Sequence, residues 1–117
     1  MKVEKLLVWK RSKALAVEIY RELSGLRDYG FRDQITRSVL SVPSNIAEGF
    51  ERYSEQEKFR FMSIAKGSCG EFTTQALIGA EIGYIPMEVA KKWRQEGFEI
   101  ARMLGAFMQA LRSGKPG

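Results

Sequence analysis

Apolar residues recur along this chain at steps of three and four, the spacing that places them on one face of an α-helix. Four segments show this pattern, and no segment alternates apolar and polar residues over the length of a strand. The segments run from about residue 6 to 23, from about 31 to 52, from 54 to 82, and from 86 onward. The chain is therefore predicted to be all-α.

Short links join the four segments, which favours helices that are antiparallel to their neighbours. A chain of 117 residues is long enough for one hydrophobic core and too short for two. The expected architecture is an antiparallel up-down-up-down four-helix bundle. It is predicted to form a single domain over residues 1–113, with a frayed tail at residues 114–117.

Local signals predict where the helices begin and end. Gly25 and Gly83 are expected to close the first and third helices, since glycine readily adopts the left-handed conformation of a helix C-terminus. The sequence SEQE predicts a capping box between Ser54 and Glu57 at the start of the third helix. Pro86 lies in the predicted first turn of the fourth helix, where its missing N–H costs nothing.

The stretch SVPSNIAEGF, residues 41–50, places Pro43 inside the second helix. Proline removes one backbone donor and crowds the carbonyl four residues earlier, at Val39. The apolar register nevertheless continues beyond Pro43, so we expect a kinked helix and not a break. Ser41 or Asn45 is the expected partner of the freed backbone groups.

The third helix is apolar on nearly all sides. One set of residues suffices for a core seam: Met62, Ala65, Cys69, Phe72 and Ala76. Further apolar residues point elsewhere: Phe59, Phe61, Ile64, Leu77 and Ile78. A helix that must be covered on more than one side predicts contact with another subunit, hence a homo-oligomer. The alternative is that this helix is simply the central helix of a monomer.

The charge of the chain, +5 with a pI near 9.5, suits a nucleic-acid partner but is also found in proteins that bind none. The excess lies at the two ends of the sequence. Residues 1–37 carry nine basic and five acidic side chains, residues 38–85 four and six, and residues 86–117 six and three.

A basic line on the predicted fourth helix is a candidate nucleic-acid surface. Cations neutralise phosphates and an aromatic ring offers a base a stacking surface, so the line suits RNA or single-stranded DNA. Its members are Lys91, Arg94, Phe98 and Arg102, and Lys10, Arg11 and Arg21 of the first helix are expected to extend it. The alternative is a solvated basic face whose Phe98 packs against a neighbouring subunit.

A polar stripe beside the apolar face of the second helix is a candidate subunit or ligand surface. Its members are Gln34, Arg37, Ser41, Asn45 and Glu48. Arg37 and Glu48 lie about 16 Å apart along a helix, too far to pair with each other. They are therefore expected to find partners on other helices or subunits.

The chain lacks the residues of the commonest catalytic and metal sites. It contains no histidine and one cysteine, Cys69, which falls on the core seam and is expected to be inert. Gly67 and Gly70 lack the spacing of a phosphate loop and are expected to allow close helix packing. No catalytic residue, metal site or cofactor is predicted. The start of the chain lacks the apolar length of a signal peptide or membrane span, which predicts a cytoplasmic protein without a membrane partner.

Three stretches of the sequence resemble a known family. They are LLVWKRSKALAVEIYRELSGL, ITRSVLSVPSNIAEGFERYS and EKFRFMSIAKGS. Together they resemble the four-helix-bundle proteins encoded in intervening sequences of bacterial 23S ribosomal RNA genes. The chain departs from that pattern at Ser38, where the family usually has alanine, and near Cys69 and Gly70, where it has apolar residues.

The resemblance implies a non-enzymatic protein that forms a ring-shaped homopentamer and acts near ribosomal RNA. A related fold is that of the accessory protein of diversity-generating retroelements, a basic pentamer that binds nucleic acid and a reverse transcriptase. The leading hypothesis is thus an oligomeric, RNA-associated accessory protein. The alternative is a scaffold that binds another protein and has no nucleic-acid role.

Overall fold

Four long helices account for most of the chain in the computed structural model, which describes residues 2–114. A short 3₁₀ turn, Val3–Lys5, precedes them. The helices are α1 (Leu7–Glu22), α2 (Tyr29–Phe50), α3 (Glu55–Glu81) and α4 (Met87–Arg112). No strand occurs between residues 2 and 114. The all-α prediction is confirmed. The predicted tail lies outside the described residues except for Gly114.

All four helices contribute to one hydrophobic cluster. Its largest fully buried side chains include Ile19 of α1, Ile46 of α2, Phe72 of α3 and Trp93 of α4. These residues lie on the apolar lines that the helical spacing predicts. Cys69 is also buried, as expected, and its burial raises the pKa of the thiol to about 12. The thiol is therefore a small core group and not a nucleophile.

In the contacts between neighbouring helices, later residues of one helix meet earlier residues of the next, so the two helices have opposite chain directions. Between α2 and α3, Ser38 bonds Gln75 whereas the later residue Ser41 bonds the earlier residue Ser68. Between α3 and α4, a methyl group added at Gly97 would touch Thr73, and one added at Gly105 would touch Lys66. Helix α4 also reaches back to α1, where its Glu96 meets Arg11.

The predicted helix ends are correct at two places and wrong at a third. Ser54 accepts a hydrogen bond from the Glu57 backbone N–H at 3.0 Å, which is one of the two bonds of the predicted capping box, whereas the Glu57 carboxylate pairs with Arg60. Gly83 ends α3 with a φ of 84°. Gly25 does not cap α1 in the left-handed conformation, because Gly83 and Gly114 are the glycines with positive φ among the described residues. Leu23 follows the last residue of α1 and keeps a φ of −99°.

Helix α2 continues through Pro43, as the apolar register predicts. Asn45 Nδ2 donates to the Ser41 carbonyl and hydroxyl at 2.8 Å each. The carbonyl that loses its partner to a proline ring is that of Val39, four residues earlier. Ser41 and Asn45, the two predicted side chains, thus form hydrogen bonds near the proline. Asn45 bonds Ser41, however, and not the Val39 carbonyl.

The expectation that Gly67 and Gly70 allow close helix packing is wrong. A methyl group added at either position would meet nothing within 4 Å. The tightest approaches occur instead at Gly79 and Gly97, where an added methyl group would lie 2.5 Å from Ile85 and 2.6 Å from Thr73. Sequence spacing alone does not distinguish a glycine at a helix contact from one on the surface.

Alanine substitutions are expected to separate these two kinds of glycine. Gly67→Ala and Gly70→Ala should each stabilise the fold by roughly 0.5–1 kcal/mol, because alanine loses less backbone entropy in a helix. Gly97→Ala is the matched control, and it should destabilise by about 1–3 kcal/mol because its methyl group overlaps Thr73. Urea denaturation measures all three. A gain in stability at position 97 would contradict the packing described here.

Asp28 should make stability depend on pH, because it joins the start of α2 to the segment between α3 and α4. Its carboxylate accepts from the Phe31 backbone N–H at 3.1 Å and from the Tyr84 hydroxyl at 2.7 Å. These two bonds lower the pKa of Asp28, and the bond to Asp28 raises the pKa of Tyr84. The stabilisation is therefore present above the unfolded-state pKa of Asp, about 3.9, and is lost as pH falls through the lower folded-state pKa.

Tyr84→Phe should accordingly lower the free energy of unfolding at pH 7, and the difference from the unsubstituted protein should shrink toward pH 2. Urea denaturation at several pH values measures this difference. Tyr53→Phe, at a fully exposed tyrosine, is the control and should change little at any pH. A difference for Tyr84→Phe that stays constant with pH would show that the ionised carboxylate is not involved.

Candidate nucleic-acid interface

The outer face of α1 carries three cations around a shallow hollow of about 500 Å³: Lys10, Lys13 and Arg21. All three are exposed. Within residues 2–114, none of them has a carboxylate at salt-bridge distance. The Lys13 ammonium lies over the Trp9 ring, 5.6 Å from its centroid. Sequence reasoning missed Lys13, although its position three residues after Lys10 places it on the same face.

Arg11 points away from this face and joins α1 to α4. Its Nε and Nη2 donate to the two carboxylate oxygens of Glu96 at 2.9 and 2.6 Å. These hydrogen bonds raise the pKa of the guanidinium, which stays charged. The expectation that Arg11 belongs to the open basic surface is therefore wrong, because its donors are directed toward a partner 85 residues away in sequence.

A second polar contact between α1 and α4 fixes the orientation of α1. Trp93 is 2% exposed, and its indole N–H donates to Glu18 at 2.6 Å. A buried donor without a partner costs about 1–3 kcal/mol, so this bond favours one rotation of α1 about its axis. In that rotation Lys10 and Arg21 face outward. Two carboxylates, Glu18 and Glu22, also line the hollow, and Glu18 already accepts this bond.

The cations of the predicted line on α4 are mostly engaged within the chain. Arg94 Nε donates to the Thr73 carbonyl at 3.0 Å, and its guanidinium lies over the ring of Phe98 at 5.3 Å. Arg102 pairs with Glu99 one turn earlier, and this hydrogen bond lowers the pKa of the glutamate. Lys91 is exposed.

The predicted basic patch is divided between two faces of the protein. Lys91, Arg94 and Phe98 line a groove whose other wall is α3, at Leu77 and Ala80. The hollow around Lys10 and Arg21 is lined by α1 residues. Phe98 is 53% exposed and belongs to the groove. The sequence therefore joined residues that line separate hollows in the structure.

The polar stripe of α2 is in part a contact with α3. The Ser41 and Ser68 hydroxyl oxygens lie 2.8 Å apart, and Asn45 donates to Ser41. Next to them Ser38 donates to Gln75 at 2.6 Å, so the serine that departs from the family pattern has a partner on the facing helix.

Glu48 pairs with Arg52 of its own helix at 3.2 Å and not with another helix of the chain, as was expected. The guanidinium of Arg52 also lies over the Phe61 ring at 4.8 Å. Gln34 and Arg37 are exposed on the same helix. Arg37 lines a hollow of about 500 Å³ with Tyr20 of α1.

Two further features of the described residues concern metal ions and membranes. Between residues 2 and 114, no three His, Cys, Asp or Glu side chains are grouped so that they could hold a metal ion. In the same part of the chain, no helix combines the length and apolar character needed to cross a membrane. What these surfaces offer is charge on α1 and an apolar groove between α3 and α4.

Comparison with known proteins gives one family and one informative structure. The family described as "23S rRNA-intervening sequence protein" matches residues 4–106. A crystal structure of a protein of unknown function, from the S23 ribosomal protein family of Bacteroides thetaiotaomicron VPI-5482, superimposes with a TM-score of 0.82. The two sequences are 24% identical over 87% of this chain and 98% of the other, a likeness that shows the fold. No curated protein matches the sequence.

The family match covers all of α1, α2 and α3 and most of α4. It includes the proline-containing stretch of α2 and the residues that orient α1 against α4. This chain belongs to the 23S rRNA-intervening sequence protein family.

Proposed function

We propose that this protein is a non-enzymatic, RNA-associated accessory protein that binds the phosphate backbone through the outer face of α1. The observation that carries the proposal is the set of three exposed cations, Lys10, Lys13 and Arg21, on one helix face without carboxylate partners among the described residues. Cations in this condition are free to replace the counterions of a nucleic acid.

The dimensions of this face suit a short stretch of backbone. Lys10 and Arg21 are separated by about 16 Å along the helix, which spans two or three phosphates of an extended strand. Trp9 at the edge of the hollow offers an aromatic surface. The description of the family, which refers to 23S ribosomal RNA, supports RNA as the partner and a cytoplasmic location.

The four helices form, in this proposal, an up-down-up-down bundle that assembles into a ring-like homo-oligomer. The opposite running of the contacts between neighbouring helices supports the bundle. Exposed apolar side chains on the outside of α3 and directly after its end support assembly, since Ile64, Ile78 and Ile82 are 41%, 47% and 53% exposed. They are spaced by close to whole turns along one side of the helix, where another subunit would cover them.

Removal of the α1 cations should weaken RNA binding and its dependence on salt. The triple variant Lys10→Gln, Lys13→Gln, Arg21→Gln should reduce the slope of log K against log salt by about 2, since each phosphate contact on a single strand contributes about 0.7. Fluorescence anisotropy of a labelled single-stranded RNA, titrated at several salt concentrations, measures this slope.

The matched control for this test is Arg52→Gln, Arg60→Gln, Arg102→Gln, which removes the same charge from arginines that already pair with a carboxylate. Its slope should stay close to that of the unsubstituted protein. If both triple variants changed the slope equally, the α1 cations would act only through the net charge of the protein. Absence of RNA binding at low salt would end the proposal.

Assembly through the outside of α3 predicts a change of molecular mass on substitution. Ile64→Ser with Ile78→Ser should shift the sedimentation coefficient from that of an oligomer toward that of a 13.3 kDa monomer. The helix should remain folded, because both side chains are already partly exposed. A protein that sediments as a monomer before substitution would contradict the proposed assembly.

A further inference from the structure

The proposed RNA face leaves an apolar groove between α3 and α4 unused. It consists of two hollows, each of about 420 Å³, and Phe98 lines both. The first hollow has a floor of small residues that includes Gly67, Gly70, Gly97 and Ala101. The second is lined by longer apolar side chains that include Leu77 and Met87.

Two of the small residues in the first hollow have no packing role inside the chain. Gly67 and Gly70 lie within α3, where glycine costs about 0.5–1 kcal/mol relative to alanine. A methyl group at either position would meet nothing within 4 Å. The two glycines thus make the hollow deeper than packing within the chain requires. A bulky side chain of another molecule can therefore enter it.

The charges along the groove favour a partner of one sign. The residues that line the two hollows include three cations, Lys66, Lys91 and Arg94, and one carboxylate, Glu88. Arg94 is also held in place by the Thr73 carbonyl. A ligand with apolar side chains toward the floor and carboxylates toward the rims would match both the shape and the charge.

The spacing of the hollows matches the repeat of a helix. Their centres are offset by about ten residues along α3, or about 15 Å. A helix lying in the groove would place two bulky apolar residues, three turns apart, into the hollows. Between these two anchors, small residues of the bound helix would lie against Phe98, which lines both hollows.

We propose that the α3–α4 groove binds an amphipathic helix of a partner protein, with two large apolar anchors three turns apart and acidic residues on both edges of its apolar face. This site is separate from the α1 face and gives the protein a second partner. An RNA strand and a second copy of this chain are the other occupants that the test distinguishes.

A designed peptide tests the proposal directly. The probe is a fluorescein-labelled 20-residue helix with leucines three turns apart, alanines between them and glutamates along the edges. One control peptide replaces the glutamates by lysines, and another shuffles the order of the residues. The glutamate peptide should bind at least tenfold more tightly than either control in an anisotropy titration.

Substitutions in the groove locate the binding site. Gly70→Leu fills the first hollow and should weaken binding at least tenfold, while the open space around position 70 leaves the fold intact. Circular dichroism checks that the variant is folded. Ala106→Leu is the matched control, since Ala106 is exposed on α4 and lines neither hollow, and it should leave binding unchanged. Lys91→Glu should weaken binding of the glutamate peptide and strengthen binding of the lysine peptide.

Three results would overturn the proposal. Equal binding of the glutamate and shuffled peptides would exclude a specific helix site. Displacement of the peptide by single-stranded RNA, lost in Gly70→Leu, would make the groove a nucleic-acid site. Dissociation of an oligomer by Gly70→Leu would make it a subunit interface. The α1 proposal stands apart, because Gly70→Leu and Lys91→Glu should leave RNA binding through Lys10, Lys13 and Arg21 in place.

Discussion

The burial of Trp93 is the constraint on which the surfaces of this protein depend. Its indole N–H has one acceptor, Glu18 of α1, at 2.6 Å, and an unpaired donor at this depth would cost about 1–3 kcal/mol. The bidentate pair of Arg11 with Glu96 adds a second contact between the same two helices. Together they select one rotation of α1. In this rotation the cations on the other side of α1 face solvent.

The same packing explains why the cations of the two basic helices differ in their contacts within the chain. On α4, Arg94 and Arg102 find acceptors within the chain, at Thr73 and Glu99. Their contribution to a phosphate site would require breaking those contacts, whereas no carboxylate of the described residues lies at salt-bridge distance from Lys10 or Lys13. The groove beside α4 is therefore defined by its apolar floor and its shape more than by free charge. One small fold thus presents a charged face on α1 and an apolar groove between α3 and α4.

The sequence predicted the four helices and the core, because both depend on residues three and four apart. It also contained two local signals that were not used, the Lys10-Lys13 spacing and the Glu48-Arg52 pair at four residues. The partners of Arg11 and Trp93 were beyond reach, since a helical pattern says which face is polar but not which residue of another helix lies opposite. For the same reason the surface glycines of α3 were mistaken for packing glycines, and the basic surfaces of α1 and α4 were joined.

The chain belongs to the 23S rRNA-intervening sequence protein family, and its described part groups no three His, Cys, Asp or Glu side chains that could hold a metal ion. The central claim of the proposal is that RNA binds the cations of α1 and not those of α4, where Lys91 is also exposed. Labelling of lysine amines with an acylating reagent, with and without single-stranded RNA, followed by mass spectrometry, tests it most directly. RNA should protect Lys10 and Lys13 and leave Lys66 and Lys91 as reactive as before. Protection of Lys66 and Lys91, with Lys10 and Lys13 still reactive, would contradict the account.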